Sequence, residues 1–179
     1  MTFPWDELNN LRTRIESAKT DGRLNRERVL DIVYDYLVYA YVMGVDNTNE
    51  GLSSSIVAKD SDMRKTINKK VAGKDYKERV SEYVETGDID AIIKVAETDA
   101  HRSMEEAAMD TAKKAGAVYK VWHTMEDDRV RDEHEPLDKI KVGVDDKFVT
   151  WDGFSTDRPG NFGVPELDIN CRCYLTFTY

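Results

Sequence analysis

The stretch "DIDAIIKVAETDAHRSMEEAAMDTAKKAG", residues 88–116, constrains the fold more than any other part of the chain. Ile89, Ile92, Ile93, Ala96, Ala100, Met104, Ala107, Ala108, Thr111 and Ala115 recur at intervals of three and four, which traces one stripe on an α-helix. Asp88 can accept from the first free backbone N–H groups, and Gly116 can take the left-handed conformation that ends a helix. A helix of this length must have other elements packed along it. His101 lies four residues after Glu97, so the two can meet on the surface of that helix, with Asp99 and Arg102 beside them.

Other helices are readable upstream. Thr2 and Pro4 precede a first one in which Trp5, Leu8, Leu11, Ile15 and Ala18 share a face, and Gly22 ends it. Asn25 can cap a second, apolar on two sides (Val29, Val33, Tyr36, Leu37 and Ala40 against Tyr34, Val38 and Tyr41), with Gly44 as its expected stop. Turn formers crowd "VDNTNEGLSSS", which places a loop or hinge at residues 46–55. Two short helices are expected near 62–71 and 76–84, punctuated by Gly73 and Gly87.

After Gly116 the pattern changes. In "AVYKVWHT", Val118, Lys120 and Trp122 alternate with Tyr119, Val121 and His123, and the content is β-branched and aromatic, as a strand requires. "IKVGV", "KFVTW" and "CRCYLTFTY" read as further strands. The expected fold class is α+β: a helical region over residues 1–116 followed by a small β-rich unit over 117–179.

Composition removes several functions. Lys and Arg number 26 against 35 Asp and Glu, a net charge of −9, and the segment after residue 120 is the more acidic. Non-specific nucleic-acid affinity comes from neutralising phosphates, so direct binding to DNA or RNA is not expected. The most apolar run, "VLDIVYDYLVYAYVMG", contains two aspartates and falls short of the ~20 apolar residues a membrane span needs. The start "MTFPWDELNN" has no basic and apolar leader pattern. Two cysteines separated by one residue would close a strained ring if bridged, so free thiols in a reducing compartment are expected.

His134, Cys171 and Cys173 are the side chains of the last unit best suited to a metal. Thiolate and imidazole donors suit zinc, which in structural sites takes four tetrahedral ligands. His123 or a nearby Asp is available as a fourth, and the alternative is a pair of small buried thiols on one face of a strand. "TMEDDRVRDEHEPLD" concentrates Asp127, Asp128, Arg129, Arg131, Asp132, Glu133 and His134. Such a cluster can tune a catalytic histidine or form an ion-pair network in a turn. No Gly-x-Ser-x-Gly elbow, Walker loop, His-Glu-x-x-His helix or dinucleotide glycine pattern accompanies it.

Three ordered blocks, "AETDAHRSMEEAAMDTAKKAG", "KVWHTMEDDRVRDEHEPLD" and "INCRCYL", resemble the phage Mu protein F-like, or minor head protein, family. Trp122, Thr124, Asp127, Arg129, Arg131 and His134 follow the family's middle pattern, and Asn170, Cys171, Arg172 and Cys173 its last, with Pro165 between. The resemblance runs from about residue 90 to the end. Thr98-Asp99 stands where the family has Thr-Glu, and Lys139 where a glycine commonly follows Leu-Asp. What the resemblance implies is a minor head protein of a phage or prophage, present in few copies, acting in head morphogenesis and associated with the portal. The implied partners are portal and capsid or scaffold proteins. The implied location is the virion, and the host cytoplasm during assembly. The competing expectations are a virion-carried effector enzyme, nuclease or ADP-ribosyltransferase-like, built around Arg129, Arg131 and His134, and a structural zinc module.

Overall fold

The computed structural model describes residues 3–179, so Thr2 and the first residue of the leader reading lie outside it. A short 3-10 turn, Pro4–Glu7, leads into helix α1 (Leu8–Ser17). The chain then turns through a hairpin of β1 (Lys19–Thr20) and β2 (Arg23–Leu24). Gly22, expected as a helix stop, sits with Asp21 at positive φ (78° and 52°) in that hairpin turn instead. Two consecutive left-handed residues match the twist of paired strands.

Two long helices dominate the architecture, α2 (Arg26–Leu52) and α5 (Ile89–Ala115), with α3 (Asp60–Ile67) and α4 (Tyr76–Thr86) packed beside them. The caps follow the sequence: Asn25 accepts from Arg28 N, Asp88 from Ala91 N, and Gly87 and Gly116 end their helices in the left-handed conformation. Asp75 and Glu78 add a reciprocal capping box to α4.

Helix α2 corrects the expected stop at Gly44 and the hinge at 46–55, because it continues to Leu52 and ends at Ser53 in the left-handed conformation. The glycine serves contact rather than termination. A Cβ there would stand 2.2 Å from the backbone oxygen of Met104 on α5, so only glycine lets the two helices approach this closely. Polar residues after it continue the helix by bonding to it. Thr48 Oγ1 donates to Gly44 O at 2.8 Å, and Asn49 gathers the following turn through Ser54 Oγ and Ile56 N.

The strands begin after Gly116. β3 (Tyr119–His123) is the centre of an antiparallel sheet ordered β4-β3-β7, with β4 at Lys141–Gly143 and β7 at Tyr174–Thr178. A small hairpin of β5 (Phe148–Val149) and β6 (Ser155–Thr156) and one short helical turn, α6 (Pro165–Asp168), fill the connection. The alternation read in β3 is present: Lys120 and Trp122 are fully buried while Tyr119 faces solvent.

Two large apolar clusters fill most of the interior, and a small third one, Tyr41, Val45 and Ala107, lies where α2 meets α5. Of the two large ones, one joins α1, α2, α4 and the first half of α5, from Leu11 and Ile15 to Ile92, Ala96 and Ala100. The other lies under the sheet, where Leu52, Ala108, Met109 and Ala112 meet Trp122, Leu137, Phe148, Cys171, Cys173, Leu175 and Phe177. The second half of α5 is therefore the floor on which the sheet rests. No helix among the described residues is long and apolar enough to cross a membrane.

Candidate functional site

One strand residue, Trp122, and three loop residues, His134, Cys171 and Cys173, converge beneath the sheet. Trp122 occupies the centre of β3 and is surrounded by rings: His134 at 5.6 Å, Phe148 at 5.1 Å and Phe162 at 6.0 Å between centroids. His134 enters from the connection after β3, just before a 3-10 turn at Glu135–Leu137, and stacks on Phe162 at 5.4 Å. Cys171 and Cys173 come from the other end of the unit, between α6 and β7.

Local devices aim the cysteines inward. Asp168 accepts from the backbone N–H groups of Phe162 and Gly163 at 2.8 Å each and of Val164 at 3.2 Å, which closes the loop before them. Asn170 then takes φ 58°, a left-handed conformation that asparagine tolerates, and turns the chain so that both thiols face the same side. The cysteines lie just before β7 rather than on the strand where the sequence placed them.

His134 Nδ1 lies 3.7 Å from Cys171 Sγ and 3.6 Å from Cys173 Sγ. His134 Nδ1 or Nε2 and the two sulfurs fall within 4.8 Å of one another, all three residues are buried, and the cysteines are free thiols. Hydrogen bonding to Cys173 holds the Cys171 thiol well below its ordinary range, with His134 contributing, while that same contact and burial push Cys173 up. Glu105 on α5 is fully buried nearby, and burial, with the Cys171 sulfur next, raises its carboxyl well above the usual range.

The remaining motif residues hold the loops to one another. Thr124 donates to Asp138 Oδ1 from both its backbone N (2.8 Å) and its hydroxyl (3.2 Å). Arg172 donates to both carboxylate oxygens of Asp127, at 2.7 and 2.6 Å, and this keeps Asp127 below its ordinary value. Arg131 donates to the Ile169 carbonyl. Arg129 is bonded through its backbone N, at 3.1 Å to Asp127, and lines a small cavity beside His134. Lys139, in place of the family's glycine, adopts φ 63°, so the turn keeps a glycine-like geometry with a lysine in it.

Sequence reasoning missed other participants. His101, expected on the surface beside Glu97, is buried and its Nε2 lies 2.7 Å from the Cys173 carbonyl. Asp99 and Arg102 are buried as well, with Asp99 bonded to Arg79 at 2.5 Å. The signal was the spacing of His101 and Glu105: four residues apart, they define a second face of α5, the one that the sheet covers. His123, considered as a fourth ligand, points to the opposite side of β3, where it bonds Thr176 Oγ1 at 2.8 Å and stacks on Tyr174. Adjacent strand residues face opposite ways, so Trp122 and His123 cannot both serve this cluster.

Fold and site together define a class: an α+β module in which a thiol–imidazole cluster joins two distant loops beneath a three-stranded sheet. The chain belongs to the family of Phage Mu protein F like protein, whose profile matches residues 60–176. The match starts at α3, well before the residue 90 at which the sequence blocks begin. Among curated proteins, the chain is 35% identical over 85 residues to the NAD(+)--arginine ADP-ribosyltransferase EFV of Enterococcus faecalis. It is 31% identical over 85 residues to the minor head protein GP7 of Bacillus phage SPP1. These alignments cover 45% and 46% of this chain but only 17% and 28% of those two proteins. No solved structure matches.

Proposed function

We propose that this chain is a phage minor head protein that acts in head morphogenesis beside the portal. The observation that carries the reading is the family match over residues 60–176, together with a curated relative whose name is minor head protein. The site agrees with it. His134 is buried against two sulfurs, and Arg131 and Arg172 bond to neighbouring loops, which suits a motif that closes a fold. A net charge of −9 would also keep such a protein from adhering to packaged DNA. Its partners on this reading are the portal and capsid or scaffold proteins, and its location is the virion after assembly in the host cytoplasm.

The direct test is co-purification of the chain with the portal from assembling cells, paired with a gene deletion. Stable association with the portal and defective heads in the deletion strain are expected. Wild-type head yield without the gene, with no portal or capsid association, overturns the proposal. The similarity to an arginine ADP-ribosyltransferase favours a second reading, a virion-carried effector enzyme. An assay for ADP-ribose transfer to arginine decides it: NAD consumption by the purified chain would support the enzyme, and its absence would leave the head protein.

A further inference from the structure

We infer that His134 Nδ1, Cys171 Sγ and Cys173 Sγ form a zinc site, with water as the fourth ligand. The geometry carries this. A tetrahedral zinc with Zn–S of about 2.3 Å and Zn–N of about 2.0–2.1 Å separates a thiolate sulfur from an imidazole nitrogen by about 3.6 Å. The two separations here are 3.7 and 3.6 Å. A neutral imidazole nitrogen has one lone pair, so it cannot accept well-aligned hydrogen bonds from two thiols together. One ion between the three atoms accounts for both near-equal distances.

Charge and surroundings point the same way. Two thiolates and Zn²⁺ sum to zero, which suits a site whose three ligands are all buried. Among the described residues no fourth His, Cys, Asp or Glu joins the cluster. Beside it lies a cavity of about 10 Å³, lined by His134 and Cys173 together with Arg129 and Asn170, which is about the space one water occupies. One outer contact holds a ligand residue, while His134 Nε2 is buried without a hydrogen-bond partner. His101 Nε2 reaches the Cys173 carbonyl at 2.7 Å.

The site joins residues 37 and 39 positions apart, so metal binding would clip the loop after β3 to the approach of β7. Ligands this distant in sequence are not preformed in the unfolded chain, and binding energy becomes folding energy. The proposal stands independently of the head-protein reading.

The test begins with the full chain purified under reducing conditions without chelator, followed by elemental analysis. One zinc per chain is expected, and one equivalent of iron or copper in its place overturns the assignment. Stripping the metal should lower Tm by about 5–10 °C for zinc held at a hundredfold its dissociation constant, and zinc added back should restore it. Cobalt(II) offered to the stripped protein should give the intense absorption of tetrahedral thiolate coordination. Cys173→Ser should weaken that band in protein whose circular dichroism shows it folded. Should that variant not fold, the wild-type titration alone decides. Reduced wild-type protein that holds no stoichiometric metal and shows no Tm change on adding zinc sinks the proposal. So does cobalt absorption that is unchanged in a folded Cys171→Ser/Cys173→Ser variant.

Discussion

The helical cluster and the cluster beneath the sheet are filled by different means. In the first, Ile15, Val33, Leu37, Val80, Ile92 and Ala96 are aliphatic, numerous and fully buried, and each contributes a modest share of burial. In the second, the centre is a single tryptophan with a histidine and two thiols against it, and Lys120, Glu105 and Arg158 are buried at its margins. Aliphatic packing tolerates exchange, because total volume and pattern matter more than any one shape. Polar and aromatic packing does not. A buried polar group left without its partner loses its hydration with nothing to replace it. The family motif falls almost wholly in the second cluster and its loops, which is where an individual residue type matters most.

Trp122→Ala gives the largest expected effect. Removing this fully buried ring from between His134 and Phe148 should destabilise by about 3–5 kcal/mol. In the helical cluster, Ile92→Val should cost about 1 kcal/mol. Urea unfolding of both variants checks the contrast, and similar losses for both would break it.

Gly44→Ala tests the contact between the two long helices. Its Cβ would stand 2.2 Å from the Met104 backbone oxygen, which cannot swing aside as a side chain could. The helices must separate, at about 3 kcal/mol, the upper end for overpacking. Denaturant midpoints measure it, and a loss below that of Ile92→Val would mean that the helices adjust freely.

Lys120 sharpens the comparison through pH. Burial lowers its pKa from 10.5 to about 8, while its Nζ donates to the Asp157 carbonyl at 2.7 Å. Between those values the unfolded chain binds the proton and the folded chain does not, so this group makes stability rise with pH from about 8 toward 10.5. The gain should be on the order of 2 kcal/mol. Below about 8 the lysine is charged in both states and its burial penalty is present in full. Lys120→Met should flatten that rise relative to wild type, and parallel stability curves for the two proteins would refute the assignment.

Lys139→Gly carries the smallest effect. It relieves a left-handed lysine at φ 63° but removes ion pairs to Glu126 and Asp138 that are mostly solvent-exposed on the lysine side. A small rise in Tm is expected, and a fall would show that the ion pairs outweigh the backbone strain.

Much of this organisation was legible in the chain itself. The caps at Asn25 and Asp88, the stop at Gly116 and the alternation of β3 depend on contacts within a few residues, and such signals are local. His134, Cys171 and Cys173 stood out by residue type and by the three ordered blocks. The hinge at 46–55 misled because Gly44, Gly51 and the polar run around them also describe a helix whose glycine admits a neighbour. His101 misled because a histidine beside acidic residues reads as surface until something covers it.

What the sequence by itself determined is therefore the order of helices and strands, where most of them end, and which few residues have distinctive chemistry. Only the tertiary structure decided which face of α5 the sheet covers, that α2 passes Gly44 against Met104 without stopping, and that His134 meets the two sulfurs at 3.7 and 3.6 Å. The physical reason is range. Periodicity and capping act between residues a turn apart, whereas burial of a particular imidazole or glycine depends on segments dozens of residues away arriving at the same place.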